Sequence, residues 1–375
     1  MNSDTQELLL KLIDFRGVQD SKDILRLLNC IDNEEEFLDF IKVNRINGII
    51  YKVLSEMGLF KFTSEKINTC LSELHYKNIQ QNKNMLRILS ELPAILNIQE
   101  YKYAMLKGSY LIPHMYEEGL RTSNDIDILI SQKDIDKIDK DLSSKGFIQK
   151  VYKEGQGLVE ATRKEKLFVR MNFGELVPYF KDYIQPGLET AIIDINISLD
   201  FKAKDSRNLV EDLLKNIIQY NIDDKVLYTL DNIHFFIQLC THLYKEAKIY
   251  NWVIESRDSL LYKYCDIYIY LLNNHDREYY KKLAEYVNRY ELNRECYYSV
   301  VNTMQIFSSL QEYVYLNEFI NLIKPQKLKF MNQISWPLEK KLYEYDIEFS
   351  KWVFLDNKLS YLREIPNNEN DIYEG

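Results

Sequence analysis

The chain has 375 residues, enough for two or three domains, and 46% of them are hydrophobic, enough to bury a substantial core. Lys and Arg number 48 against 57 Asp and Glu, a net charge of −9. That balance argues against an extended nucleic-acid-coating surface, and a polyphosphate partner would need local cations or metal ions to neutralise it.

Five scattered cysteines (30, 70, 240, 265 and 296) without any Cys-x-x-Cys exclude a disulfide framework and a cysteine zinc site, and point to a reducing compartment. The opening MNSDTQELLLKLIDF lacks the basic-then-apolar order of a secretory leader. No uncharged apolar run reaches roughly 18 residues, so no membrane span is expected and the chain reads as a cytoplasmic, bacterial-type protein. Neither a phosphate-binding Gly-x-x-x-x-Gly-Lys-Ser/Thr nor a strand followed by Gly-x-Gly-x-x-Gly is present.

In chain order, residues 1–98 read as helices, with apolar residues spaced three and four apart. Ser21, Asn33 and Thr63 or Ser64 suit N-caps, Gly58 closes one helix, and Pro93 ends the last. The pattern changes over 99–205. YKYAMLKG is strand-like, SYLIPHMYEEG is a short helix stopped by Gly119, and NDIDILI is a strand. SQKDIDKIDKDLSSKG is a helix capped by Ser131. FIQKVYK, GLVEATR and KLFVRMNF read as strands, with a hairpin turn at Gly155-Gln156-Gly157, and TAIIDINISLDF as a longer alternating strand. Residues 206–375 read as helical again. The expected class is α+β, a small mixed core flanked by N- and C-terminal helical regions.

Asp-x-Asp occurs three times here, so context must separate the copies. On a strand, Asp125 and Asp127 share a face, with Ile126, Ile128 and Ile130 on the other. Two same-face carboxylates repel unless a cation lies between them, and Mg²⁺ favours one or two carboxylates plus phosphate oxygens. Asp134, Asp136, Asp139 and Asp141 instead spread over the solvated arc of a helix whose apolar stripe is Ile135, Ile138 and Leu142. A third acid is available farther on. Asp194, Asn196, Ser198 and Asp200 alternate with Ile193, Ile195, Ile197 and Leu199, and Asp194 would complete a three-carboxylate set if its strand lay beside 125–130. Lys107, Gly108 and Ser109, between a strand and a helix, offer an ammonium, close backbone approach and a hydroxyl to phosphate, and Arg121 offers a bidentate contact.

Leu106-Lys107-Gly108, Gly119-Leu120-Arg121 and Asp125-Ile126-Asp127-Ile128-Leu129-Ile130, followed by Lys145-Gly146-Phe147, resemble the core of the DNA polymerase β-like nucleotidyltransferase superfamily. The likeness is to its poorly characterised bacterial nucleotidyltransferase-like branch. The resemblance implies metal held by Asp125 and Asp127, Asp194 as the third carboxylate, and nucleoside triphosphate phosphates over Gly108 and Ser109. It also places a His-Leu pair in a C-terminal helix, matched by His242-Leu243. With Lys245 one turn on, these would line the nucleotide cleft, although a buried core histidine is the plainer reading of His242. The implied activity is Mg²⁺- or Mn²⁺-dependent transfer of a nucleotidyl group from a nucleoside triphosphate to a hydroxyl or phosphate of a small molecule or peptide. Peptide acceptors enter because some members occur beside ribosomal-peptide tailoring genes. Two alternatives use the same residues: a glycosyltransferase gripping a nucleotide-sugar through Asp-x-Asp, and a catalytically degenerate nucleotide-binding module.

Overall fold

The computed structural model describes residues 1–17, 20–183, 190–199, 209–274 and 276–366. Asp200 therefore lies outside the described residues. The chain divides into two compact units: Lys77–Gln238, and Met1–Tyr76 together with Leu239–Gly375. The observed class is α+β, with a mixed sheet plus helices.

In the unit Lys77–Gln238, runs of alternating apolar residues form one eight-stranded sheet. Its strands are β1 (Tyr103–Met105), β2 (Ile126–Ile130), β3 (Ile148–Lys153), β4 (Gly157–Glu160), β5 (Tyr179–Asp182), β6 (Thr190–Asn196), β7 (Ile217–Ile222) and β8 (Lys225–Leu230). They lie in the order β4-β3-β5-β6-β2-β1-β8-β7. β2 runs parallel to β6 and antiparallel to β1, β1 runs parallel to β8, and the other neighbours are antiparallel. Ile126, Ile128 and Ile130 of β2 share a core with Ile193, Ile195 and Ile197, and with Ile135, Ile138 and Leu142 from the helix Ile135–Ser144. Burying each such side chain stabilises the fold by about 2 kcal/mol. All five residues of β2 are buried, so its second face is covered as well, and Asp127 stands on that covered face.

Several features of this unit depart from the sequence expectation, and Asp134 is one: expected on a solvated arc, it is buried and pairs with Lys137. KLFVRMNF is part of a helix, Arg163–Phe173, although its apolar residues favour strands. Thr162 and Glu165 form a reciprocal capping box at its start, and Gly174 closes it at φ 64°. Residues 217–230 are the β7–β8 hairpin rather than helix; Asp223 at φ 51° makes its turn, a position where Asp is tolerated. β5 adds a strand where Pro178 and a short apolar run hide the pattern. Gly119 does not stop a helix directly: the helix Gly108–His114 ends earlier, and Gly119 turns the following loop at φ 84°.

In the unit Met1–Tyr76 with Leu239–Gly375, the helices Ser3–Ile13, Ser21–Leu28, Glu34–Val43 and Asn47–Glu56 fold with Leu261–Asn273, Arg277–Arg289, Asn293–Ile306 and Val314–Ile323. Asn44 joins the two halves, its Oδ1 accepting from the Leu261 backbone N–H at 2.9 Å. Asp14 does the same, accepting from the Tyr268 hydroxyl and from the Ser309 hydroxyl. Met1–Tyr76 and Leu239–Gly375 thus fall in one unit, whereas the sequence reading set its boundaries at 98 and 205. Asn33 caps Glu34–Val43 as expected, and Ser64 accepts from the Ile67 N–H, but Asp20 rather than Ser21 caps the second helix. A three-stranded antiparallel sheet, absent from the helical expectation, is formed by β9 (Gln333–Trp336), β10 (Lys341–Glu344) and β11 (Arg363–Ile365). Among the described residues no helix is long and apolar enough to cross a membrane.

Candidate active site

The β2–β6 ladder sets Asp127 directly opposite Asp194. β1 delivers Lys107, whose Nζ donates to Asp127 Oδ1 at 2.7 Å. The Asn196 side-chain amide donates to the same oxygen at 3.5 Å. Asp125 precedes β2 and accepts from the Ser123 hydroxyl at 2.9 Å. Gly108 fits because a Cβ there would stand 2.7 Å from the Ser123 Cβ, so the β1 turn packs directly on the residue that steadies Asp125.

Lys107 holds φ 45° and ψ −125°. Side chains rarely adopt that backbone, which costs on the order of 1–3 kcal/mol and collects at functional sites. Glycine would be the unstrained choice there.

The electrostatics follow from crowding anions in a covered strand. Burial pushes Asp127 up to about 6, the Lys107 ammonium pulls it down, and Asp125 and Glu175 add upward pressure. Asp194 is raised well above the ordinary carboxyl range, first by burial and then by Asp125 and Asp127. Its Oδ1 is sealed from solvent and meets no hydrogen-bond donor. Burial works to strip the Lys107 proton, but Asp127 and Asp125 outweigh it and hold the ammonium charged.

The three carboxylates anticipated from the sequence are therefore neighbours. Among the described residues, however, no three His, Cys, Asp or Glu side chains are gathered closely enough to make a metal cage. Mg²⁺ needs no such cage, since it binds through one or two carboxylates with phosphate oxygens and water. The donor set fits a hard divalent cation: it consists of oxygens, and one of them is buried without a partner.

The model of a family described as uncharacterised nucleotidyltransferase matches residues 32–308, more than half of the chain. The chain belongs to that nucleotidyltransferase family. Neither the curated proteins nor the solved structures compared with it gave a match.

Within this nucleotidyltransferase the other anticipated residues take different places. Ser109 is fully buried, its hydroxyl finds no partner, and its carbonyl accepts from the Tyr220 hydroxyl at 3.2 Å. The Ser109 and Tyr110 backbone N–H groups bond to Leu106 and Lys107 carbonyls. Of the Lys107-Gly108-Ser109 run, then, the lysine is the group that meets the carboxylates. Arg121 is buried in the loop before β2. His242 and Lys245 lie in the other unit, where His242 pairs with Glu246 at 3.3 Å and Glu246 also pairs with Lys263.

Three residues escaped the sequence reading. Glu175 adds a fourth acid, placed by its bridge to Asn196. Asn78 and Asn82, one turn apart on the helix Glu65–Glu91, clamp the loop that carries Arg121. Asn78 donates to the Gly119 carbonyl at 3.0 Å, and Asn82 donates to the Arg121 carbonyl at 2.8 Å while accepting from the Gly119 N–H at 2.8 Å. Two asparagines four apart inside a helix, where Asn is disfavoured, were the available signal. Asn82→Ala should cost about 2 kcal/mol by orphaning two buried backbone groups, with faster hydrogen exchange at the Gly119 amide. Denaturant unfolding together with exchange measured by mass spectrometry checks both; unchanged exchange would reject the clamp.

Proposed function

We propose that this nucleotidyltransferase has a polymerase-β-type core and moves a nucleotidyl group from a nucleoside triphosphate to a hydroxyl or phosphate of a small molecule or peptide. The observation that carries the reading is the facing pair Asp127 and Asp194 on adjacent parallel strands, with Asp194 Oδ1 lacking any donor. The order of β1, Lys107-Gly108-Ser109, short helix, β2 and β6 supports it, as does the family.

Asp127 and Asp194, with Asp125 beside them, would offer oxygens to Mg²⁺ or Mn²⁺, which when bound neutralises phosphate charge and orients the triphosphate. Asp194, whose carboxyl is raised, is suited to take the proton from the acceptor hydroxyl as its oxygen attacks the α-phosphorus and pyrophosphate leaves. Lys107 supplies positive charge to the phosphates. Positioning and charge neutralisation account for the rest.

The test is a calorimetry and thermal-shift panel of ATP, GTP, CTP, UTP and UDP-glucose, each with and without Mg²⁺ or Mn²⁺. Metal-dependent binding of a nucleoside triphosphate is expected, lost in Asp125→Asn. Turnover with the bound donor should fall roughly a thousandfold in Asp127→Asn with folding intact. Preference for UDP-glucose would move the reading to glycosyl transfer, and binding without any turnover would move it to a degenerate module.

A further inference from the structure

Asp127 already holds a cation. The Lys107 ammonium lies 2.7 Å from Asp127 Oδ1, and the two side chains are only 17% and 5% exposed. Asp194, opposite, has a sealed oxygen with no donor at all. Lys107 therefore bonds one carboxylate of the pair and relieves the other only in part, from a distance. A divalent ion reaching both would have to bind beside a fixed positive charge on one of its own ligand oxygens. That repulsion acts against bare metal, and a donor's phosphates, arriving with the metal, would relieve it by giving Lys107 another anion.

We propose that Lys107 is an exchangeable counter-ion, paired with Asp127 before the donor binds and with donor phosphate oxygens afterwards, so that metal and donor bind synergistically and bare metal binds weakly. The inference rests on the metal-dependent reading above and adds the order of events. Lysine suits the role, because its point charge rides on a flexible four-carbon stem. The strained backbone at Lys107 fixes the root of that stem between β1 and Gly108, at the junction from which it meets Asp127.

The site is tested without knowing the base, using Mn²⁺ alone and Mn²⁺ with inorganic tripolyphosphate, by calorimetry at pH 8. In the wild-type protein tripolyphosphate should tighten Mn²⁺ binding by about tenfold or more. In Lys107→Met, Mn²⁺ alone should bind about tenfold more tightly, and the enhancement by tripolyphosphate should largely vanish. A second measurement leaves Lys107 itself in place: acylation of its amine, read by mass spectrometry. It should rise when Mn²⁺ alone binds, fall again with tripolyphosphate, and stay high without metal in Asp127→Asn. Equal Mn²⁺ affinity in wild type and Lys107→Met, or Lys107 acylation unmoved by Mn²⁺ that binds, overturns the exchange and leaves the metal site standing. If Mn²⁺ binds neither protein with or without tripolyphosphate, the metal reading and the exchange fall together.

Discussion

Asp194→Asn should raise the melting temperature at neutral pH while abolishing turnover. Asp194 is an acid crowded by Asp125, Asp127 and Glu175, partly relieved by Lys107, with one oxygen sealed from solvent. Ionising it in the fold is costlier than in the unfolded chain, and an amide removes that cost. The sign in pH follows from linkage. A carboxyl whose folded value is raised binds its proton more tightly in the fold. Its contribution is fully present below the unfolded value and is lost as pH rises through the folded one. Asp127 behaves alike, with a window from the ordinary carboxyl value of about 4 up to about 6. The gain in melting temperature of Asp194→Asn over wild type should therefore shrink as pH falls from 8 towards 4. Scanning calorimetry of both proteins across that range decides it. A destabilised variant, or a gain independent of pH, would mean that Asp194 is not a strained carboxylate. Such a stability gain at the expense of function is what an active-site acid held in unfavourable surroundings produces.

The largest loss of stability is expected in the other unit, from Lys358→Met. Asp258 is almost wholly buried and accepts from Lys358 Nζ at 2.9 and 3.0 Å and from Trp352 Nε1 at 2.9 Å, while Lys358 also bonds the Ser259 hydroxyl. The pair ties the C-terminal segment around Trp352 to the loop before the helix Leu261–Asn273. Removing the ammonium leaves a buried carboxylate uncompensated, which costs about 3–5 kcal/mol. The double variant Lys358→Met with Asp258→Asn should recover part of that, because no unpaired charge remains. Denaturant unfolding of the two variants measures the difference. A single variant within 1 kcal/mol of wild type, roughly the ceiling for an exposed pair, would show that the pair is not sealed from water.

The core of the site was legible before any fold was known. Ile126, Ile128 and Ile130 alternate with Asp125, Asp127 and Leu129, and a strand of period two with acids on one face has few bland explanations. The alternation around Asp194 is equally what a half-exposed edge strand shows, so it named that acid only as a candidate; both isoleucine sets are core. Local caps were also readable where the chemistry is strong, as at Asn33. Competing local signals defeated the reading elsewhere. The Thr162 capping box overrode the strand-like KLFVRMNF, and the Asp223 turn made a hairpin where a helix was expected.

The sequence by itself determined the α+β class, the pairing of Gly108 with a strand-to-helix turn, and the acids that stand on strands, because propensity and periodicity are local properties. Only the tertiary structure decided which acids meet. The parallel register of β2 and β6 sets Asp127 against Asp194, and a shift of one residue would have turned one of them to the other face. It likewise decided that Ser109 goes inward, that Asn78 and Asn82 hold the loop of Arg121, and that Lys107 bonds Asp127. Contacts between residues dozens of positions apart depend on how whole elements pack, and no window of sequence contains them.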